Sequence, residues 1–176
     1  MKRRPRNRKP LVGILVGSRS DLPFFEGARE TLGRFRVPYE IQVASAHRTP
    51  DQVARYAAGA QARGLRAILV GAGAAAHLAG AIAARTTLPV LAVPLATSPL
   101  QGFDALLSTV QMPAGIPVAT LAVGEAGAVN AALLAIEILA LGDSDLRRRL
   151  AVYRKEMGNR LAEHNRELRK PARRKK

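Results

Sequence analysis

The chain has 176 residues, 48% of them hydrophobic and none cysteine, and carries a formal net charge of +15. That length supports one sizeable core, and the lack of cysteine excludes disulfides, thiolate zinc sites and cysteine nucleophiles. The charge points to nucleic acid only until it is located: residues 1–10 hold six Lys/Arg and no acid, residues 166–176 hold seven against Glu167, and residues 11–165 keep +3.

In chain order, residues 1–10 read as a basic disordered tail, residues 11–169 as one domain with a nearly balanced charge, and residues 170–176 as a second basic tail. Runs of this kind are ordinarily solvated and catalytically idle; contact with RNA, DNA or another polyanion is the alternative. The first ten residues lack the apolar centre of a secretory signal, so no export and a cytoplasmic location are expected. The most apolar long stretch, Ala126 to Leu141, contains Asn130 and Glu137 and is shorter than the roughly 20 residues a membrane span requires. It reads as a buried helix.

Five apolar runs end in loops rich in Gly, Ser or Pro: Leu11 to Val16, Tyr39 to Val43, Ala67 to Val70, Val90 to Val93 and Val118 to Ala122. Helical patterns separate most of them, and the runs read as continuously apolar, as parallel strands covered on both faces require. A three-layer α/β/α sandwich follows. Ser20 is placed to cap a helix with Pro23 in its first turn, and Thr49, Pro50 and Gln52 give a cap, a first-turn proline and a capping-box partner. A last helix from about Ser144 to Lys170 carries Leu146, Leu150, Tyr153, Met157, Leu161 and Leu168 along one stripe. That stripe packs either on its own domain or on a neighbouring subunit.

Ligands of open parallel sheets bind outside the carboxyl ends of the strands, so three loops matter. Gly17 to Asp21 offers hydroxyls, backbone N–H groups and a helix N-terminus, an anion site unless Ser20 is a plain cap. Ser45 to Pro50 offers His47, a side chain whose charge changes near neutral pH, beside Arg48, a forked cation suited to phosphate. Gly71 to His77 resembles a dinucleotide fingerprint, but it follows the third strand and the region some 20 residues on, Val90 to Ala96, has no acid for a ribose. Close approach of the backbone to a small ligand explains its glycines better, and His77 either lines the pocket or caps the next helix. The three histidines lack metal-ligand spacing. Ser18, His47 and Asp21 or Asp104 spell a hydrolase triad on paper, yet Ser18 is not in a G-x-S-x-G elbow.

Taken together, Gly-Ser-x-Ser-Asp at 17 to 21, Ser-Ala-His-Arg-Thr-Pro at 45 to 50 and Gly-Ala-Gly-x-Ala-Ala-His-Leu at 71 to 78 resemble the N5-carboxyaminoimidazole ribonucleotide mutases of de novo purine biosynthesis. Leu88-Pro89-Val90, Val93-Pro94, Gly102 with Asp104, and Gln111 to Thr120 extend the likeness over about residues 11 to 155. The resemblance implies a flavodoxin-like sandwich, a homo-octamer, and conversion of N5-carboxyaminoimidazole ribonucleotide to 4-carboxy-5-aminoimidazole ribonucleotide without metal or organic cofactor. His47 matches the catalytic histidine; Ser18, Asp21 and Arg48 match the principal nucleotide-binding positions, with Ser20, Ser45, Gly73, Ala74 and His77 around them. Ala74 stands where the family usually has glycine, Ala79 where it usually has proline, and Arg19 is a basic residue between the two serines. Direct carboxylation of aminoimidazole ribonucleotide by carbon dioxide is the nearest alternative activity. A nucleotide- or RNA-binding protein without turnover is the remote one.

Overall fold

The apolar runs form a five-stranded, all-parallel sheet in the order β2-β1-β3-β4-β5. The computed structural model describes residues 9–168, so of the basic tails expected at 1–10 and 170–176 all but Lys9 and Pro10 lie outside the described residues. The strands are β1 (Val12–Val16), β2 (Tyr39–Val43), β3 (Ala67–Gly73), β4 (Val90–Leu95) and β5 (Ala119–Thr120); the helices are α1 (Glu26–Arg34), α2 (Pro50–Arg63), α3 (Leu78–Ala83), α4 (Phe103–Val110), α5 (Glu125–Ala140) and α6 (Ser144–Leu168). The sequence places the three-layer α/β architecture correctly. β3 and β4 run further than the apolar runs suggest, and β5 is only two residues long.

Burial follows from this order. Every residue of β1 and β4 is buried. Leu15, Ile68, Val70, Val90 and Ala92 pack under Val53, Tyr56, Ala57 and Ala60 of α2 and Leu78, Ile82 and Ala83 of α3. Since strand side chains alternate between faces, the intervening residues point to the other layer, where α1 and α5 carry the fully buried Ala28, Leu32, Ala128, Ala131, Ala132, Ala135 and Ile136. The reading of β2 as covered on both faces is corrected: its residues Tyr-Glu-Ile-Gln-Val alternate, none is fully buried, and Ile41 and Val43 are exposed. An edge strand with one open face tolerates this pattern.

Two expectations about helix starts also change. Ser18 rather than Ser20 is the N-cap of the 3-10 segment Arg19–Phe25, and Asp21 completes its capping box. Thr49 does stand at the N-cap of α2 with Pro50 in the first turn, but its hydroxyl makes no cap bond. It instead accepts from the Ser45 N–H at 2.9 Å and bonds the Ser45 carbonyl at 3.2 Å, which closes the loop ahead of the helix.

The described residues divide into two compact units, the second beginning at Leu139. In the second unit, Asp143 accepts from the Leu146 N–H at 2.9 Å and starts α6, and Arg147 donates to the carbonyls of Ala140 and Leu141. Of the apolar stripe on α6, Leu146 is buried whereas Met157, Leu161 and Leu168 are exposed. No helix among the described residues is long and apolar enough to cross a membrane.

Candidate active site

With strand order 2-1-3-4-5, the connections leaving β1 and β3 diverge to opposite sides of the sheet, and the crevice between them is where such folds bind ligands. A cavity of about 450 Å³ opens there, within the range of small-molecule sites. Gly17, Ser18, Ser20 and Asp21 line it from the loop after β1, and Ser45, Ala46, His47 and Arg48 from the loop after β2. Ala72, Gly73 and Ala75 come from the end of β3 and beyond, Leu78 from α3, and Thr97 from the loop after β4.

The first loop is organised around Asp21, which is buried (6% exposed) at the floor of its turn. Its Oδ2 accepts from the Ser18 N–H at 2.9 Å, and the Ser20 hydroxyl donates to the Ser18 hydroxyl oxygen at 2.9 Å. Burial pushes the Asp21 carboxyl above its ordinary value, opposed by the Ser18 N–H, Ser20 and the Arg48 charge. A ligand hydroxyl donating to this carboxylate would favour its charged form further.

Arg48 ties the first two loops together: a terminal guanidinium nitrogen donates to the Gly17 carbonyl at 2.9 Å, while the Arg48 N–H bonds the Ser45 hydroxyl at 3.2 Å. The fork has five N–H donors, so this anchor leaves donors for an anion in the cavity. Arg19 is exposed and does not line the cavity.

His47 meets His77 across the mouth, Nε2 to Nδ1 at 2.8 Å, with the rings nearly perpendicular at 83°. One of these nitrogens donates and the other accepts, so the contact holds at most one doubly protonated ring. His77 stands at the N-cap of α3 but its side chain makes no cap bond. The cap reading of that side chain is thus set aside, and His77 reaches the site through His47 rather than as a cavity wall. His47 being bonded to His77, the hydrolase triad of Ser18, His47 and a carboxylate does not form among the described residues.

The glycines of the third loop serve the protein before any ligand. A Cβ on Gly71 would sit 2.3 Å from the Phe25 ring, and one on Gly73 would sit 1.7 Å from the Thr97 hydroxyl. Close packing of Phe25 on β3 and of Thr97 on the strand end corrects the view that ligand approach alone explains them. Thr97 was not foreseen as a lining residue. Neither was Ser108 of α4, which accepts from the Ala76 N–H at 3.1 Å and donates to the Ala105 carbonyl at 3.1 Å, pinning the loop that carries His77. A serine inside a helical pattern gives no sequence signal of such a role.

Ala74 does not line the cavity, and its φ of 50° lies in the left-handed region. An L-residue there costs roughly 1–2 kcal/mol, offset by the roughly 0.4–1 kcal/mol that alanine saves by restricting the unfolded chain. Ala74→Gly is therefore expected to stabilise the fold by about 0.5–1 kcal/mol. Denaturant melts at equal protein concentration check this, and a destabilised variant contradicts it. Ala79 sits in the first turn of α3, where the N–H has no intrahelical acceptor. Proline and alanine are interchangeable there for the helix.

Comparison with known proteins places this cavity in context. The family model described as AIR carboxylase matches residues 11–160. The chain belongs to the AIR carboxylase family. It is 55% identical over 142 residues to the "N5-carboxyaminoimidazole ribonucleotide mutase" of Bacillus subtilis (strain 168), covering 81% of this chain and 88% of that protein. It is 49% identical over 163 residues to the protein of the same name from Pyrococcus horikoshii, covering 93% and 91%. Among solved structures, it is similar to Treponema denticola PurE, with a TM-score of 0.82 at 29% identity over 92% of this chain and 99% of that one. The flavodoxin-like order of the sheet agrees with this likeness.

Proposed function

We infer that the chain is an isomerase of purine biosynthesis that converts N5-carboxyaminoimidazole ribonucleotide to 4-carboxy-5-aminoimidazole ribonucleotide in the cytoplasm. The observation that carries this reading is His47 at the mouth of a nucleotide-sized cavity whose other polar groups, Arg48, Ser18, Ser20 and Asp21, suit a phosphorylated ribose. Relatives sharing about half of its residues over most of its length carry the mutase name.

The chemistry needs one proton moved twice. Protonating the carbamate nitrogen of the substrate turns it into an amine leaving group; the N–C bond breaks and carbon dioxide is released beside the imidazole ring. The electron-rich ring carbon then forms a C–C bond to that carbon dioxide, leaving a tetrahedral carbon that still bears hydrogen. Removing this hydrogen as a proton restores the aromatic ring and returns the acid to its starting state. His47 performs both transfers as general acid and then general base, an effect worth roughly 10²- to 10⁴-fold. His77, bonded to the far side of that exchange at 2.8 Å, fixes the ring's orientation. Arg48 and the serines hold the phosphate through charge-assisted bonds, Asp21 accepts from ribose hydroxyls, and Ala72, Gly73, Ala75 and Leu78 give an apolar wall that keeps carbon dioxide close to the ring.

Assembly as a homo-octamer belongs to the same reading. Its support is the family resemblance together with the exposed Leu100, Phe103, Leu107 and Val110 at and along α4, an apolar face that a second copy would cover. Light scattering giving a monomer with full activity would contradict it. The activity itself is tested by an ultraviolet assay that follows interconversion of the two carboxylated ribonucleotides. Absence of any turnover by folded protein would overturn the enzyme reading.

A further inference from the structure

We infer that the end of the sheet opposite the cavity is a docking surface for the phosphate backbone of a nucleic acid. Four exposed cations stand just ahead of four adjacent strands: Arg36 before β2, Lys9 before β1, Arg66 before β3 and Arg85 before β4. Because the strands neighbour one another in the order β2-β1-β3-β4, these residues form a row in that same order. The backbone ties the starts of β2, β1 and β3 together, with the Arg66 N–H on the Leu11 carbonyl at 2.8 Å and the Leu11 N–H on the Pro38 carbonyl at 2.8 Å. At about 4.8 Å between strands the row spans roughly 14 Å, long enough to meet several consecutive phosphates of one strand.

Helix ends do not account for all of these charges. Cations at helix C-termini are favoured by the helix dipole, which together with the 3.1 Å ion pair to Glu40 accounts for Arg63 at the end of α2. Arg36 and Arg85 directly follow the C-caps of α1 and α3, where the helix dipole also favours a cation, whereas Lys9 and Arg66 lie in the approaches to β1 and β3. In the segments 34–40, 9–12, 63–67 and 84–90 the one carboxylate is Glu40, already held by Arg63. The cavity end differs, since Arg48 there acts on the Asp21 carboxylate.

A strongly basic segment directly precedes Lys9 in the sequence. Lys9 packs beside Gly64 at the β3 side of the row, and residues 1–8 add Lys2, Arg3, Arg4, Arg6 and Arg8 by sequence. Arginine dominates this set, and its planar fork matches phosphate through paired N–H bonds. An anionic membrane is the poorer fit, since residues 2–9 contain no large apolar side chain to enter a bilayer. The length of β1, five residues at about 3.3 Å each, separates the row from the cavity. A bound strand therefore leaves the cavity open.

The test uses the full chain, a fluorescent single-stranded RNA of about 20 nucleotides, and anisotropy titrations between about 50 and 200 mM salt. The triple variant Arg36→Gln, Arg66→Gln, Arg85→Gln is expected to lower the slope of log K against log salt by about 2, at about 0.7 per phosphate contact, with turnover unchanged. Should the triple variant fail to fold, the single variants Arg36→Gln and Arg66→Gln each serve, both expected to reduce the slope with turnover intact. An unchanged slope in these variants overturns the proposal. So does affinity lost entirely on removing residues 169–176 with the row intact, or equal row-dependent binding to phosphatidylglycerol vesicles.

Discussion

Replacing His47 with asparagine is expected to lower turnover by roughly 10²- to 10⁴-fold while leaving product affinity within about tenfold, or 1.4 kcal/mol. Asparagine keeps a polar group facing His77 but neither gives nor takes a proton, so the variant separates proton transfer from binding. On the proposed reading the phosphate and ribose are held by Arg48, the serines and Asp21, whose own hydrogen bonds do not involve the imidazole. His77→Asn is expected to cost less, because it removes a neighbour that orients His47 and not the group that moves the proton. Single-turnover absorbance and equilibrium binding of product measure the two quantities separately. Near-normal turnover in His47→Asn would sink the assignment, and a loss of affinity matching the loss of turnover would make His47 a binding residue.

What the sequence makes legible here is set by how local each signal is. Parallel strands buried on both faces announce themselves as short apolar runs, and the four-residue signature Pro-Asp-Gln-Val after Thr49 announces a helix start. Loops at strand ends are found by the same reading, which is why His47, Arg48, Ser18, Ser20, Asp21, Ser45 and Gly73 all line one cavity. Contacts between loops are not local and leave no such trace. The pairing of His47 with His77, 30 residues apart, is invisible until the strand order brings the ends of β2 and β3 to either side of β1. Thr97 and Ser108 act on the third loop from the loop after β4 and from α4, across the same kind of gap. Gly71 and Gly73 could not be read correctly either, since the atoms that would strike an added Cβ belong to Phe25 and Thr97. The choice between Ser18 and Ser20 as cap turned on which serine has extended backbone, a property of φ and ψ that both serines permit.

Isotope routing decides between the two activities that this family's names bring together, and Arg48 is the residue on which the expectation rests. Through one terminal nitrogen Arg48 donates to the Gly17 carbonyl at 2.9 Å, which anchors the fork at the cavity it lines. Such a fork binds phosphate through two parallel N–H bonds and sets the angle of the nucleotide as well as its position, whereas a lysine in its place would be a point charge with no preferred plane. A nucleotide held at a fixed angle keeps the ring carbon next to the carbon dioxide released from its own carbamate, and recapture competes well with escape. Carbamate substrate supplied in buffer containing isotopically labelled bicarbonate is accordingly expected to give product bearing mostly the original, unlabelled carboxyl group in the first turnover. Arg48→Lys, which keeps the charge and removes the fork, is expected to raise the labelled fraction as well as weaken binding. Product equilibrated with bulk label in its first turnover, together with efficient use of unsubstituted aminoimidazole ribonucleotide and bicarbonate, would make direct carboxylation the activity of this site.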